Sequence, residues 1–322
     1  MNATDIVAVE APSLPANIVQ AEMDAARAFA LAEKSAATRR AYKADFRIFA
    51  AWCGSRGASP MPATPDLVSA YLASLATAGA KASTIGRKAA SIRYAHRLAG
   101  CEPPTNVETV KATLRGIRRE IGTAKEQKAP ATADRIADML ASIPDTLAGK
   151  RDRALLLLGF AGALRRSELV ALTVADLVDA EGGLRVIIRH SKTDQEGQGQ
   201  EIAIPAGGKL RPVEAIRTWL AAAGIAEGPV FRPIAKGGKL QPVALSDRSV
   251  AAIVKGYAER AGLDPDAYAG HSLRAGFLTT AAEHGASVFK MMEVSRHKSV
   301  DTLRGYVRRA DLFRDHAGAG FL

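Results

Sequence analysis

The sequence predicts a mainly α-helical protein with one small β-hairpin or sheet, an α+β chain divided into two domains. Three observations predict this. Apolar residues recur at steps of three and four, between capping signals, over most of the chain. Only one pair of short β-branched runs occurs, Leu184–Arg189 and Glu201–Ile204. A polar, Pro130-containing stretch beginning at Thr123 interrupts the helical pattern near the middle, as an interdomain linker does. At 322 residues the chain is long for one compact domain and comfortable for two.

Residues 1–15 contain Pro12 and Pro15 and show no periodicity, so a disordered tail is expected. The first domain, 16–122, is helical. Tyr42, Phe46, Phe49 and Cys53 share one face of a helix that Ser35 or Thr38 caps and Gly54 or Gly57 ends. A second helix opens at Thr64-Pro65-Asp66 and stops near Gly79; proline is tolerated in a first turn. A third runs from Ser83 to Gly100, and a fourth follows Pro103-Pro104 to about Gly122. Residues 123–133 form the linker and 134–322 the second domain. There, helices near 134–142 and 150–163 precede the hairpin. Helices resume near Arg211–Ala223 and Ser246–Ala261, then run almost continuously from His271.

Composition narrows the function classes. Hydrophobic residues make up 48%, enough for a sizeable core, yet no apolar run approaches the roughly 20 residues that span a bilayer. The opening MNATDIVAVE is not a secretory signal, which points to a soluble, cytoplasmic protein with no membrane partner. Cys53 and Cys101 read as buried thiols or bystanders, so neither a disulfide framework nor a zinc site is expected. The net charge of +11 favours a polyanionic partner. Aromatic residues are only 5%, which disfavours a stacking surface for single strands and leaves double-stranded DNA as the better match. Lys111, Arg115 and Arg118 share one helix face, as do Arg93 and Arg97 on the preceding helix, joined by Arg87 and Lys88. Between Lys81 and Lys128 the only acids are Glu102, Glu108, Glu120 and Glu126. The stripe can be a solvated face, but so few acids favour phosphate contact.

The second domain carries side chains suited to phosphoryl transfer, which needs cations on the nonbridging oxygens and acid–base groups for the attacking and leaving oxygens. Arg165 and Glu168, in GALRRSEL, are spaced to face each other. Lys192 stands in the hairpin turn, where it is either a proton donor or an ordinary exposed lysine. His271 and Arg274, in GHSLRAGF, can point at one phosphate, although any basic helix can contain HxxR. His297 precedes Tyr306 by nine positions, and each has a plain structural reading as a core or packing residue. A tyrosine nucleophile needs cations and a base, because its hydroxyl pKa is about 10; Arg304, Arg308 and Arg309 flank it.

Taken in order, Arg, Lys, His-x-x-Arg, His and Tyr resemble the catalytic hexad of the tyrosine recombinase (phage integrase) family, over about residues 30–315. GALRRSEL resembles that family's first arginine box, GHSLRAGF its HSLRH-like box, and RHKSVDTLRGYV its C-terminal box. The resemblance implies a site-specific DNA recombinase: a SAM-like helical core-binding domain and a catalytic domain closing on duplex DNA as a C-shaped clamp. It implies that Tyr306 forms a 3′-phosphotyrosyl link, that Arg165, Arg274 and His297 bind the phosphate, and that Lys192 protonates the 5′-oxygen. His271 would assist proton removal from Tyr306, with Glu168 behind Arg165. No metal, ATP or other cofactor is implied, because bond energy is kept in the covalent link. Strand exchange would pass through a Holliday junction in a homo-tetramer, with the tail after Tyr306 (Leu312, Phe313, Phe321, Leu322) docking on a neighbour. An accessory directionality factor is compatible with this reading, as is association with the nucleoid. Ser295-Arg296 stands where Leu-Gly is usual, and Phe277 where a His is common. Two alternatives are a type IB topoisomerase-like enzyme and a non-catalytic DNA-binding regulator.

Overall fold

In the computed structural model, residues 20–124, 127–189 and 199–310 are described. The chain divides into two compact units, Met1–Lys125 and Glu126–Leu322. The first holds helices α1 (Gln20–Ala32), α2 (Ala36–Gly54), α3 (Pro65–Thr77), α4 (Ala82–Leu98) and α5 (Glu108–Ile121), with a short 3-10 turn at Pro104–Asn106. The starts of α2 and α3 follow from their caps. Ser35 Oγ accepts the Thr38 N–H at 3.2 Å and Thr64 Oγ1 accepts that of Leu67 at 3.3 Å. Phe49, Cys53, Val68, Leu72, Ile85 and Ile92 form the buried core. His96 is a satisfied core histidine: Nδ1 donates to the Ile92 carbonyl at 2.8 Å and Nε2 accepts the Ala63 N–H at 3.0 Å.

The second unit contains α6 (Ala133–Ala141), α7 (Leu147–Ala161), α8 (Arg166–Ala171), β1 (Leu177–Ala180), β2 (Gly183–Ile188), β3 (Gln200–Pro205), α9 (Pro212–Ala223), α10 (Asp247–Arg260), α11 (Ser272–Glu283), α12 (Val288–Ser295) and α13 (Val300–Ala310). The strands form an antiparallel sheet in the order β1-β2-β3. Its buried face is set by alternation: Leu184 pairs with Ile204 and Val186 with Ile202, all inward. Strand β1, only four residues long, completes a sheet of which sequence periodicity marked two strands. The helical run expected after His271 is broken twice. Gly285 lies between α11 and α12, and Arg296 in a left-handed turn ends α12 before Ser299 opens α13.

The second half of helix α7, from Ala154 to Ala161, is apolar on all sides and sits in the middle of the core, with Leu155, Leu156 and Leu158 fully buried. Each such leucine contributes about 2 kcal/mol of transfer free energy. Helix α11 meets α7 at Gly159, where a Cβ would come within 2.7 Å of Leu273 Cδ1. This close packing places the first turn of α11 beside the end of α7. Residues read from sequence as linker also belong to this contact. The Ala129 N–H donates to the Ala267 carbonyl at 2.7 Å and the Ala131 N–H to that of Ser272 at 2.9 Å. Ala131 is fully buried, and a Cβ on Gly276 would sit 1.8 Å from its carbonyl oxygen. Among the described residues, no helix is long and apolar enough to cross a membrane.

Candidate active site

The site begins where α7 ends. Ala163 has φ +44°, a left-handed conformation that disfavours a β-carbon by about 1 kcal/mol. That turn directs its carbonyl at two guanidiniums: Arg274 Nη1 donates to it at 2.7 Å and Arg296 Nη2 at 3.3 Å. Two residues on, Arg165 occupies the N-cap of α8 and Glu168 its third position. Glu168 Oε2 accepts the Arg165 N–H at 2.9 Å, and Oε1 accepts Arg165 Nη1 at 2.7 Å. Oε2 also accepts Arg296 Nη2 at 2.7 Å. Burial alone would push the Glu168 carboxyl upward, but the Arg296 charge and the hydrogen bonds from Arg165 outweigh it and hold the pKa below the usual value.

Arg274, in the first turn of α11, is 1% exposed. Burial, then repulsion from Arg165 and Arg296, lowers its pKa to about 9, opposed by Glu168 and by Tyr306. Arg274 is thus still a cation at neutral pH. Its Nη2 lies 3.1 Å from His297 Nε2 and 3.3 Å from Nδ1. Ser295, fully buried, fixes the imidazole. Its single hydroxyl hydrogen goes to the Met291 carbonyl at 2.5 Å, so at 2.8 Å its oxygen accepts from His297 Nδ1. Nε2 then carries the lone pair that receives the Arg274 hydrogen. Burial and the surrounding arginines, Arg274 first, push His297 down to about 4. Burial, Arg274 and Arg165 also lower His271, at the N-cap of α11, although the residue as a whole is exposed. Both imidazoles are neutral at pH 7, and His271 has an unfilled proton site.

Tyr306 lies half-buried on α13 against the small cluster of Leu278, Ala282, Met291 and Leu303. A charge on it favours the protonated form of Arg274, which places it in the same electrostatic neighbourhood. The structure therefore brings together Arg165, Glu168, Arg274, His297 and, through Arg274, His271 and Tyr306. Lys192 falls in 190–198, and the Leu312, Phe313, Phe321 and Leu322 tail in 311–322, both outside the described residues.

Sequence reasoning missed three contributors: the Ala163 carbonyl, Ser295 and Arg296. Departure from the family pattern at 295–296 was visible in the sequence, but the partners of those side chains were not. Phe277 packs edge-on against Phe160, with ring centroids 5.9 Å apart, and belongs to the core.

The basic face of the first unit requires a correction. Asp45 on α2, outside the 81–128 window, accepts Arg87 Nε at 2.7 Å and Lys88 Nζ at 3.4 Å. Lys88 is 7% exposed, so it is not part of an open stripe. Arg93 Nε donates to Thr105 Oγ1 at 3.1 Å, and Arg115 is paired with Glu108. Arg97, Lys111 and Arg118 are exposed.

Around the Ala163 carbonyl, three guanidiniums face one carboxylate, and two neutral imidazoles stand beside them. A buried excess of positive charge with bidentate donors suits an oxyanion that develops charge during reaction, such as a phosphate at a phosphoryl-transfer transition state.

Comparison with known proteins leads to the same chemistry. Residues 131–312 match the phage integrase family, and residues 29–101 match the phage integrase N-terminal SAM-like domain. The chain is 41% identical over 294 residues to an integrase/recombinase XerD homolog of Selenomonas ruminantium, across 88% of this chain and 86% of that one. It is 27% identical over 285 residues to recombinase Cre of Escherichia phage P1, across 82% of each. Its fold is similar to that of a lambda integrase dimer bound to a COC′ core site, with TM-score 0.61 and 19% identity over 92% of this chain and 78% of that one. It is likewise similar to the Tn1549 transposon integrase in complex with transposon right end DNA, with TM-score 0.61 and 17% identity over 90% and 97% of the two chains. The chain belongs to the phage integrase family and is a tyrosine recombinase, an enzyme of site-specific DNA breakage and rejoining.

Proposed function

We propose that Tyr306 is the nucleophile that cleaves one DNA strand at a time within a specific duplex site. Its oxygen attacks the scissile phosphorus, His271 takes the tyrosine proton, and the bond to the 5′-oxygen breaks as Lys192 supplies that oxygen with a proton. The products are a 3′-phosphotyrosyl link and a free 5′-hydroxyl, with no change in the number of phosphoester bonds. A 5′-hydroxyl from a partner strand reverses the step and exchanges strands through a Holliday junction. Arg165 and Arg274 hold the nonbridging oxygens. His297, neutral in the free protein, joins them by taking up a proton at Nε2 once a phosphate displaces the Arg274 hydrogen bond. The observation that carries this reading is the cluster of two buried guanidiniums, Arg274 and Arg296, and the half-buried Arg165 around one carboxylate, in electrostatic contact with Tyr306.

The reaction needs two cleaved duplexes, so the working assembly is a homo-tetramer on paired sites in the cytoplasm, where an accessory factor can set direction. Arg97, Lys111 and Arg118 supply backbone contacts from the first unit. The test is covalent trapping on a nicked duplex recovered by selection with Tyr306→Phe protein. Wild type is expected to give an SDS-stable adduct, and Tyr306→Phe to bind the same duplex without one. An adduct that survives Tyr306→Phe overturns the assignment. Relaxation of supercoiled plasmid by the monomer, without exchange between sites, would favour the topoisomerase-like alternative.

A further inference from the structure

We propose that Arg296 is a positioning residue of the cleavage reaction, holding Arg165 through Glu168 and Arg274 through the shared Ala163 carbonyl. The inference rests on the reading of the site given above.

Arg296 occupies the C-cap of α12 at φ 57°, a left-handed position where glycine would serve the turn without strain. Its side chain is nevertheless 2% exposed, and its Nε has no hydrogen-bond partner among the described residues. A turn alone does not need a buried arginine with one donor unmet. The other donors show what the residue does. Nη1 reaches the Val294 carbonyl at 2.7 Å and the Gly162 carbonyl at 3.2 Å, while Nη2 reaches Ala163 O at 3.3 Å and Glu168 Oε2 at 2.7 Å. One guanidinium therefore ties the end of α12, next to His297, to the end of α7 and the start of α8. Ala163 O also receives Arg274, so three segments that carry phosphate-binding side chains converge on Arg296 and two of its acceptors, the Ala163 carbonyl and Glu168.

The charge matters as well as the geometry. The cations facing Glu168 are Arg165 from the start of α8, Arg296 from the end of α12 and, more distantly, Arg274 from α11. Without Arg296, burial would drive Glu168 toward its neutral form, and a protonated carboxyl grips Arg165 less firmly.

The experiment is single-turnover adduct formation by the full chain on the selected nicked duplex, measured across pH. In Arg296→Met the rate is expected to fall roughly 10- to 100-fold, with affinity for the duplex unchanged. A new acidic limb should appear, along which the rate drops as Glu168 gains a proton. Arg296→Lys, which keeps the cation, should recover most of the rate and show no limb. The double variant Arg296→Met, Glu168→Gln should lose the limb, which separates Glu168 from His271 and His297 as its source. If Arg296→Met unfolds, Arg296→Gly, suited to the left-handed turn, replaces it. A wild-type rate and pH profile in the charge-removing variant would overturn the proposal, as would an equal loss in Arg296→Lys. If wild type itself forms no Tyr306-dependent adduct, the parent reading fails first and this one with it.

Discussion

Each unit contains a buried carboxylate held by two cations, and the two clusters have different outcomes. In the first, Asp45 is 5% exposed by side chain and Lys88 9%, but the Arg87 side chain is 53% exposed and reaches water. Charge is balanced inside, and the cluster is a tie between α2 and α4. In the second, Glu168 and Arg296 are 1% and 2% exposed, Arg165 17%, and Arg274 adds a third guanidinium with no carboxylate of its own among the described residues. One uncompensated buried arginine separates the two cases. A balanced buried pair serves architecture; an unbalanced one is an unfinished site that an anion completes.

The largest expected effect tests that extra cation. Arg274→Ala should slow adduct formation by about 10³-fold while leaving duplex affinity nearly intact, and Asp45→Asn should leave the rate of the folded protein unchanged. Equal losses in single-turnover assays would dissolve the distinction. Next, Glu168→Gln should reduce stability by about 3 kcal/mol, because it leaves buried guanidiniums without a counter-charge. Asp45→Asn should cost less, because it strands one buried cation, Lys88, while Arg87 stays solvated; denaturant unfolding of both variants gives the order.

A third effect concerns pH. His297 is held from its ordinary 6.5 down to about 4, so the unfolded chain takes up a proton that the folded protein refuses. This contribution to stability is full above pH 6.5 and declines as pH falls toward 4. Thermal unfolding should show that slope, and His297→Asn should flatten it. Smallest is the salt response of DNA binding. Lys111→Ala or Arg118→Ala should each lower the log–log salt slope by about 1, whereas Lys88→Met, already paired with Asp45, should not change it in an anisotropy titration.

What was legible in the sequence follows the same division. Caps and periodicity are local, so α2, α3 and α4 could be bounded from Ser35, Thr64 and the glycines beyond them. Strand β1 was not legible, because four residues, LVDA, are too few to show an alternation. Order and spacing singled out Arg165, Arg274, His297 and Tyr306. The pairing of Asp45 with Lys88 joins residues 43 apart in the chain, and that of Glu168 with Arg296 joins residues 128 apart. No local rule reaches such partners. The stripe of the first unit was misjudged for this reason, since its counter-charge came from another helix. Arg296 was noticed only as a departure from a pattern, because its role depends on where α7 ends in space.

The segment that enters the second unit has a mechanical consequence. Ala129 is hydrogen-bonded to Ala267, in the 3-10 turn that precedes α11, and Ala131 to Ser272 at the start of α11, two positions before Arg274. With Gly276 pressed against the Ala131 carbonyl, there is little slack between this segment and the helix. Tension on the chain near residue 128 is therefore delivered to the backbone beside Arg274. A cut at residue 134 would remove a strip of the catalytic unit's own wall, whereas a cut before residue 127 would leave that wall whole.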